Sequence, residues 1–257
     1  MSEVDQPPAQ PFVRYETADA VATLTLDSPH NRNALSRRLL GELVEGLHRA
    51  AADDDVRVVL IAATGTVFCS GADLSEAGTG SMEEGAQAIV DLQRLILTLG
   101  KPVVTRLQGA VRAGGTGIVA ASDVAIAAGH ATFALTEVKL GLAPAAISLT
   151  VVPRMTSRAA ALTALGGETF TAEEAVTMGL VTEAVPAEEL DARVAAVCAS
   201  LATGALQGLR ETKALLNRDL VERIDARGPE LAALSARLFA SDEAKAAMTA
   251  FLSRGRG

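Results

Sequence analysis

Two glycine-rich turns carry residue types with which a protein can stabilise negative charge on an oxygen atom. They read CSGADL (69–74) and RAGGTG (112–117), and each follows a predicted strand and precedes a predicted helix start. Backbone N–H groups at a helix start have no intrahelical acceptor and lie at the positive end of the helix dipole. Two such groups converging from different turns make an oxyanion hole, and tiny residues let a thioester carbonyl approach the backbone. The pair of turns therefore predicts chemistry at an acyl carbonyl.

A dinucleotide-binding loop fits the same glycines less well. GTGIVA (115–120) matches G-x-G-x-x-A, and an acid, Glu137, follows 20 residues on. The fingerprint requires its first glycine directly at the end of a strand and its acid at the end of the next strand. Here five residues separate the strand end at Gly109 from the motif, and the next strand ends near Gly129, well before the acid. The spacing therefore disfavours nucleotide binding.

Hydrolase and metal motifs are also disfavoured. FCSGA resembles a nucleophile elbow, but Phe68 stands where G-x-S-x-G needs its first glycine. The sequence contains no G-x-x-x-x-G-K-[ST] phosphate loop, and its three histidines show neither triad nor metal-ligand spacing. Cys69 and Cys198 lie far apart without CxxC spacing, which predicts buried, reduced thiols. No metal site is predicted.

The elements that must position the two turns alternate between strand and helix. Apolar or alternating runs predict strands within 20–29, 57–64, 101–109 and 123–129. Helical periodicity predicts helices within 36–56, with Ser36 as N-cap, around 82–99, and from the second glycine turn to about Ala121. This alternation is typical of stacked right-handed βαβ units. After about residue 153 the pattern is mostly helical, and it stays so to the end of the chain.

Composition limits the partners. The chain has 257 residues, 49% of them hydrophobic but only 3% aromatic, so its core should consist of small aliphatic side chains. The formal net charge of −8 disfavours a nucleic-acid partner, which requires a basic face. The acidic, proline-rich start lacks the basic and apolar regions of a signal peptide, and no uncharged apolar run is long enough for a membrane span. We expect a cytoplasmic protein without a membrane or nucleic-acid partner.

Five segments together resemble the crotonase superfamily, the enoyl-CoA hydratase/isomerase family. They are VATLTLDSPHNRNALS, GTVFCSGADL, GAVRAGGTGIVAASDVAIAA, FALTEVKLGLAP and GETFTAEEAVTMGLVTEAVP, and the resemblance covers nearly the whole chain after residue 11. It implies an α/β spiral of ββα units, like that of ClpP, with a helical C-terminal trimerisation region. The domain prediction is a disordered tail at 1–11, the spiral core at 12–200 and the C-terminal helices at 201–257. The implied assembly is a homotrimer or a dimer of trimers.

The resemblance also assigns site residues. The oxyanion donors would be the backbone N–H groups of Ala72 and, by register from Asp123, Gly114. Glu137, in FALTEVKLG, would be the catalytic carboxylate, and burial in an apolar pocket would raise its pKa towards neutrality. The substrate is an acyl-CoA thioester whose enolate the site stabilises, and coenzyme A is part of that substrate rather than a separate cofactor. Contacts to the CoA or acyl group are assigned to Arg32, Ser70, Ala72, Leu74, Gly115 and Arg112, with Lys213 approaching CoA across a subunit boundary.

One family acid is missing. Typical hydratases place a first glutamate at the start of the helix after the glycines, where this chain has Gly117. The acid pair that holds one water is therefore incomplete, and a large gain in crotonyl-CoA hydration on Gly117→Glu would show that the missing acid limits the protein. Replacement acids from the region after SGADL are Glu76, Glu83 and Glu84.

Three functions remain open with a single glutamate. Hydration of a 2-enoyl-CoA is the leading prediction, followed by Δ3,Δ2-enoyl-CoA isomerisation and by non-catalytic acyl-CoA binding. The run GGTGIVAASD followed by KLGLAPAAIS resembles the bacterial methylglutaconyl-CoA hydratase-like subgroup. Arg112 would then be either a surface or trimer-contact arginine or an anchor for a distal carboxylate on the acyl group.

Overall fold

The computed structural model describes residues 10–76 and 82–254, with side chains through residue 250. Most of the predicted disordered tail, 1–11, lies outside the described residues. The strands are β1 Val13–Ala18, β2 Val21–Leu26, β3 Val58–Ala63, β4 Val67–Cys69, β5 Val103–Leu107, β6 Ala110–Arg112, β7 Val124–Ala128, β8 Thr132–Ala134, β9 Phe170–Thr171 and β10 Glu183–Val185. The α-helices are α1 Arg37–Ala52, α2 Met82–Thr98, α3 Gly114–Ala121, α4 Ser148–Arg154, α5 Ser157–Gly166, α6 Ala172–Met178, α7 Leu190–Ala202, α8 Leu206–Phe239 and α9 Asp242–Arg254.

Two sheets form the core of a spiral. The larger has the order β1-β2-β3-β5-β7-β10, and all its pairs are parallel except β1 with β2. The smaller has the order β4-β6-β8-β9, with only the last pair antiparallel. Strands β3, β5 and β7 are each followed by a short strand in the other sheet and then by a helical segment, as in β3-β4-α2 and β5-β6-α3. This confirms the predicted α/β spiral of ββα units.

The local signals that predicted these elements act as expected. Helix α1 begins where Ser36 accepts a hydrogen bond from the Leu39 N–H at 3.2 Å, so the predicted N-cap is confirmed. The leucines of its apolar face, including Leu43 and Leu47, are fully buried against the sheet. Both cysteines are buried free thiols, as the sequence predicted.

Long C-terminal helices complete the fold. Helix α8 packs along α2, where Arg94 and Asp225 form a two-pronged ion pair at 2.6 and 3.2 Å. Helix α9 then packs on the turn Glu137–Leu140. Among the described residues no single helix has the length and hydropathy of a membrane span; Ala187–Ala202 and Leu206–Phe239 reach them only as a pair bent by 108°.

Candidate active site

The two glycine turns meet at van der Waals distance. The Leu35 N–H donates to the Gly71 carbonyl at 2.8 Å, and Leu35 and Ala72 form a parallel bridge that holds the first turn in place. Gly71 has a φ of +95°, and a Cβ atom there would lie 2.7 Å from the Cβ of Ala113 and 3.6 Å from the backbone nitrogen of Gly114. Only glycine fits this contact, because its conformation and its surroundings both exclude a side chain. The structure therefore brings the predicted donors' turns together.

The backbone N–H groups of the two predicted donors make no hydrogen bond among the described residues. Gly114 is the first residue of α3, where a backbone N–H has no intrahelical acceptor. The first turn closes instead through the Thr116 N–H, which donates to the Ala113 carbonyl at 2.8 Å. Across residues 10–76 and 82–254, neither the Ala72 N–H nor the Gly114 N–H has a hydrogen-bond acceptor. Such a pair of free donors is available to a ligand oxygen.

A strained backbone conformation at Ala113 sets the direction of the second turn. Ala113 has φ 44° and ψ −118°, a region that non-glycine residues rarely occupy. Such a conformation costs on the order of 1–3 kcal/mol and persists only where the surroundings impose it. Here it turns the chain from β6 directly into α3, so the free N–H of Gly114 lies beside the first turn.

An apolar cleft opens beside these donors. Ala72 lines it together with side chains of α1, α2 and the end of α8, among them Leu40, Ile89 and Phe239. Arg37, Asp73 and Glu76 contribute the charged part of its lining. The cleft therefore offers an apolar wall next to free backbone donors, an arrangement suited to an acyl group and its carbonyl. Arg37 and Phe239 are contributions to the cleft that sequence reasoning missed.

One oxygen of the Glu137 carboxyl group has no hydrogen-bond partner among the described residues. It begins the turn Glu137–Leu140, three residues after β8. Within the described residues its Oε2 has neither accessible surface nor a hydrogen-bond partner, although other atoms of the residue are partly exposed. Burial raises the pKa of Glu137 to about 7, and a hydrogen bond involving its own backbone opposes that rise only in part. A group that titrates near neutrality is suited to both taking up and releasing a proton.

Short strands connect the base to the donor. Strand β6 leads into Gly114 and β8 leads towards Glu137, and the two strands pair through Val111 with Phe133. The Ala113 N–H continues this pairing to the Ala134 carbonyl at 3.3 Å. The smaller sheet thus fixes the segment of the donor against that of the base.

Gly117 is buried inside α3 and faces packed side chains. A Cβ atom there would lie 2.8 Å from Cγ2 of Ile147 and 3.3 Å from Cδ and Oε1 of Gln93. A side chain added at position 117 would therefore meet a space that Ile147 and Gln93 already fill. Gln93 itself was missed, although its spacing of three residues from Val90 and four from Leu97 places it on the apolar face of α2, which was a usable signal.

The Arg112 guanidinium donates its hydrogen bonds to strands β6 and β8, whereas an anchor for a distal carboxylate would need free donors. Its guanidinium donates to the carbonyl of Thr132 at 2.6 Å, to the hydroxyl of Thr132 at 2.9 Å and to the carbonyl of Val111 at 3.0 Å. The side chain is half-buried, and desolvation lowers the pKa of the guanidinium. Arg112 thus ties β6 to the start of β8 in this structure.

The remaining CoA-contact candidates surround the first turn. The Arg32 side chain is exposed, and its carbonyl accepts from the Ser70 N–H at 3.2 Å. Leu74 begins a short turn beyond Ala72. Gly115 packs inward, because a Cβ atom there would lie 2.7 Å from Cβ of Cys69. Its absent side chain therefore serves packing between the two turns.

The candidate replacement acids occupy different places. Glu76 lines the cleft, and its Oε2 accepts from the Arg37 N–H at 3.0 Å. Glu84 approaches the Arg37 guanidinium at 4.0 Å. Glu83 is exposed at the start of α2. Of the three, Glu76 is the one in the lining of the cleft beside Ala72.

Lys213 does not fit its predicted role across a subunit boundary. It is 4% exposed, its Nζ lies 2.7 Å from Oδ2 of Asp123, and it donates to the Lys101 carbonyl at 3.0 Å. Desolvation lowers the pKa of Lys213, and the nearby Asp123 carboxylate opposes that effect. The lysine anchors α8 to the core of its own chain, so this prediction was wrong.

The spiral α/β fold presents two backbone N–H donors that are free among the described residues, an arrangement suited to stabilising negative charge on an oxygen atom. A family model described as enoyl-CoA hydratase/isomerase matches residues 16–256. A "Probable enoyl-CoA hydratase" from Rhodobacter capsulatus is 31% identical over 246 residues, covering 94% of this chain and 95% of that protein. The chain belongs to the enoyl-CoA hydratase/isomerase family.

Solved structures agree with this assignment. An enoyl-CoA hydratase from Mycobacterium avium is 44% identical, with a TM-score of 0.89, and the match covers 96% of this chain and 98% of that one. An enoyl-CoA hydratase from Mycobacterium avium subsp. paratuberculosis is 30% identical, with a TM-score of 0.85, covering 95% and 96% of the two chains. The crotonase fold predicted from sequence is thereby confirmed.

Proposed function

We propose that this enzyme adds water to a 2-enoyl-CoA and that Glu137 is its single acid–base group. The observation that carries the proposal is the buried Glu137 carboxyl, whose Oε2 has no partner among the described residues and whose pKa is raised to about 7. The same fold presents two N–H donors that are free among those residues. The names of the relatives support hydration as the net reaction.

The proposed steps conserve atoms and charge. The thioester oxygen accepts hydrogen bonds from the N–H groups of Ala72 and Gly114. Ionised Glu137 takes a proton from water as the new C3–O bond forms, and the electron pair of the double bond moves onto the thioester oxygen as an enolate. The enolate then collapses as Glu137 returns the proton to C2, which leaves 3-hydroxyacyl-CoA and the ionised carboxylate.

Isomerisation is the second candidate, and the filled space at Gly117 favours it. Glu137 would remove a proton from C2 of a 3-enoyl-CoA, the donors would hold the dienolate, and Glu137 would return the proton to C4. This route needs one carboxylate and no activated water, so a closed second-acid position does not impede it. A non-catalytic acyl-CoA-binding role would leave the raised pKa of Glu137 without a function.

Product mass separates these candidates. The purified chain is incubated with crotonyl-CoA, a 3-enoyl-CoA and 3-methylglutaconyl-CoA, the last because of the predicted subgroup. Hydration adds the mass of one water, whereas isomerisation leaves the mass unchanged and shifts the absorbance of the conjugated thioester. Measurable acyl-CoA binding without conversion of any of the three would contradict both enzymatic proposals for these substrates.

The proposed assembly is a trimer or a dimer of trimers. Large leucines stand exposed on α5 and α8, with Leu165 76% and Leu216 73% accessible in the isolated chain. Exposed apolar side chains of this size favour contact with another subunit. Analytical ultracentrifugation tests the assembly, and a monomer at micromolar concentration would contradict it.

A further inference from the structure

The packing around Gly117 is a closed cluster with its own hydrogen bonds. Gln93 is 1% exposed, and its Nε2 donates to the carbonyls of Ile89 at 3.0 Å and Ala146 at 3.1 Å. Its Oε1 accepts from the Thr150 hydroxyl at 2.6 Å. Both amide hydrogens and the amide oxygen therefore have partners inside the protein.

These hydrogen bonds require an amide. A carboxylate has no hydrogen to donate to the two carbonyls, and a methionine of similar size has no donor and only a weak acceptor. The bond to the Ala146 carbonyl also fixes the backbone directly before Ile147, whose Cγ2 would lie 2.8 Å from a Cβ on Gly117. Gln93 therefore holds in place the side chain that makes the closest approach.

One face of α2 contacts both the donor and the closed position. Ile89 and Gln93 are four residues apart, so they stand on the same face of the helix. A Cβ on Gly114 would lie 3.8 Å from Cδ1 of Ile89, and a Cβ on Gly117 would lie 3.3 Å from the Gln93 amide. The amide thus lies one helical turn beyond the oxyanion donor, under the same helix α3.

We propose that Gln93 is a positioning residue that determines reaction specificity: with Thr150 and Ile147 it closes the place of a second acid. This inference rests on the proposed single-acid function of Glu137. The chain then differs from a two-acid enzyme by more than one substitution, because Gln93, Ile147 and Thr150 occupy the space with complementary volume and hydrogen bonds. The cluster leaves Glu137 to move the proton alone.

A double-mutant cycle tests the closure. Thermal unfolding and the ratio of hydrated to isomerised product are measured for the wild type, G117E, I147A and the double variant G117E/I147A. We expect G117E alone to lower the unfolding temperature without raising the hydration ratio, because its side chain collides with Ile147. In the I147A background the same change should be better tolerated and should raise the hydration ratio about tenfold or more over I147A alone.

Two results would overturn the inference. One is a G117E protein that is as stable as the wild type and gains hydration by itself. The other is a G117E substitution that lowers the unfolding temperature by the same amount in the wild-type and I147A backgrounds. The unfolding measurements do not depend on turnover. If the wild-type chain has no activity, the proposed function fails, but the unfolding temperatures still test whether the space at Gly117 is closed.

A second pair of variants serves if both chains with the position-117 substitution fail to fold. Q93E exchanges the buried amide for a carboxyl group, and Q87E makes the same exchange on the exposed side of α2, where Gln87 bonds to Asp91 at 2.8 Å. We expect Q93E, but not Q87E, to add a second ionisation to the pH profile of kcat and to change the product ratio. A Q93E enzyme with the wild-type pH profile and product ratio would contradict the assignment.

Discussion

The two positions at which the family has catalytic acids, Glu137 and Gly117, have opposite environments in this molecule. At Glu137 the chain keeps a carboxyl group whose Oε2 lacks any partner among the described residues, and burial raises its pKa to about 7. At Gly117 the chain has no side chain, and the neighbouring Gln93 has every polar group satisfied. The first place sacrifices stability for reactivity, whereas the second gains stability from complete packing.

This difference teaches that a missing acid is not the same as an empty site. A single change to glycine would leave a void or a water-filled gap, but Ile147 and Gln93 fill the space to within contact distance of the α3 backbone. The two places therefore make separate predictions, one about proton transfer and one about packing.

The largest effect is expected at Glu137. Replacing it by glutamine keeps the size of the side chain but removes the titrating proton, so kcat should fall about 10³-fold while acyl-CoA affinity stays nearly unchanged. Steady-state kinetics and calorimetric binding measure the two quantities. The matched control is E173Q on exposed α6, which should leave kcat unchanged. Equal losses in E137Q and E173Q, or full activity in E137Q, would remove Glu137 from the mechanism.

The same substitution should change how stability depends on pH. Because the pKa of Glu137 lies above its ordinary value, the unfolded chain ionises first, and stability falls as pH rises from about 4.5 to about 7. The penalty is absent below that range and complete above it, at about 3 kcal/mol. E137Q should therefore gain stability relative to the wild type between pH 4.5 and pH 8 in denaturant titrations. A constant difference across that range would show that the carboxyl is not destabilised by burial.

On the packed side, Gly117→Ala should destabilise the chain. Its Cβ would lie 2.8 Å from Ile147, and overpacking of this kind costs about 1–3 kcal/mol. The control is Gly41→Ala on the exposed face of α1, where nothing lies within 4 Å of the new Cβ, so it should stabilise the helix by about 0.5–1 kcal/mol. Urea unfolding compares the two. If both alanine variants were more stable than the wild type, the space at Gly117 would be open.

A smaller effect is expected at Thr150. Thr150→Val preserves the shape of the side chain but removes the donor to the Gln93 amide oxygen, leaving a buried acceptor unpaired at a cost of about 1–2 kcal/mol. Urea unfolding measures the loss, with Thr177→Val on α6 as an exposed control. A Thr150 variant no less stable than the control would mean that the hydroxyl does not hold Gln93.

Sequence reasoning found the elements with a strong apolar pattern and missed those with a weak one, for physical reasons. Helix α1 has a clear helical period and strand β3 is a continuous apolar run, so both were predicted. Edge strand β1 is as long as β3 but mostly exposed, and Val13 is its only buried residue, so it was missed. Strand β6 has three residues and is too short to show a period.

The site divides in the same way. The free donors and Glu137 lie in sequence segments whose motifs and order along the chain predicted them. The closure at Gly117 depends on Gln93 and Ile147, which are distant in sequence and meet only through packing of α2, α3 and α4. The partners of Arg112 could not be predicted from sequence, because the direction of its side chain depends on the register of β6 with β8.

The pH dependence of kcat with saturating 2-enoyl-CoA tests most directly whether one acid acts alone. A two-acid enzyme needs one carboxyl protonated and the other ionised, which gives a bell-shaped profile. A single shuttling carboxylate needs only its ionised form at the start of each cycle. We therefore predict one inflection near pH 7 followed by a plateau; a bell with two ionisations would contradict the single-acid account.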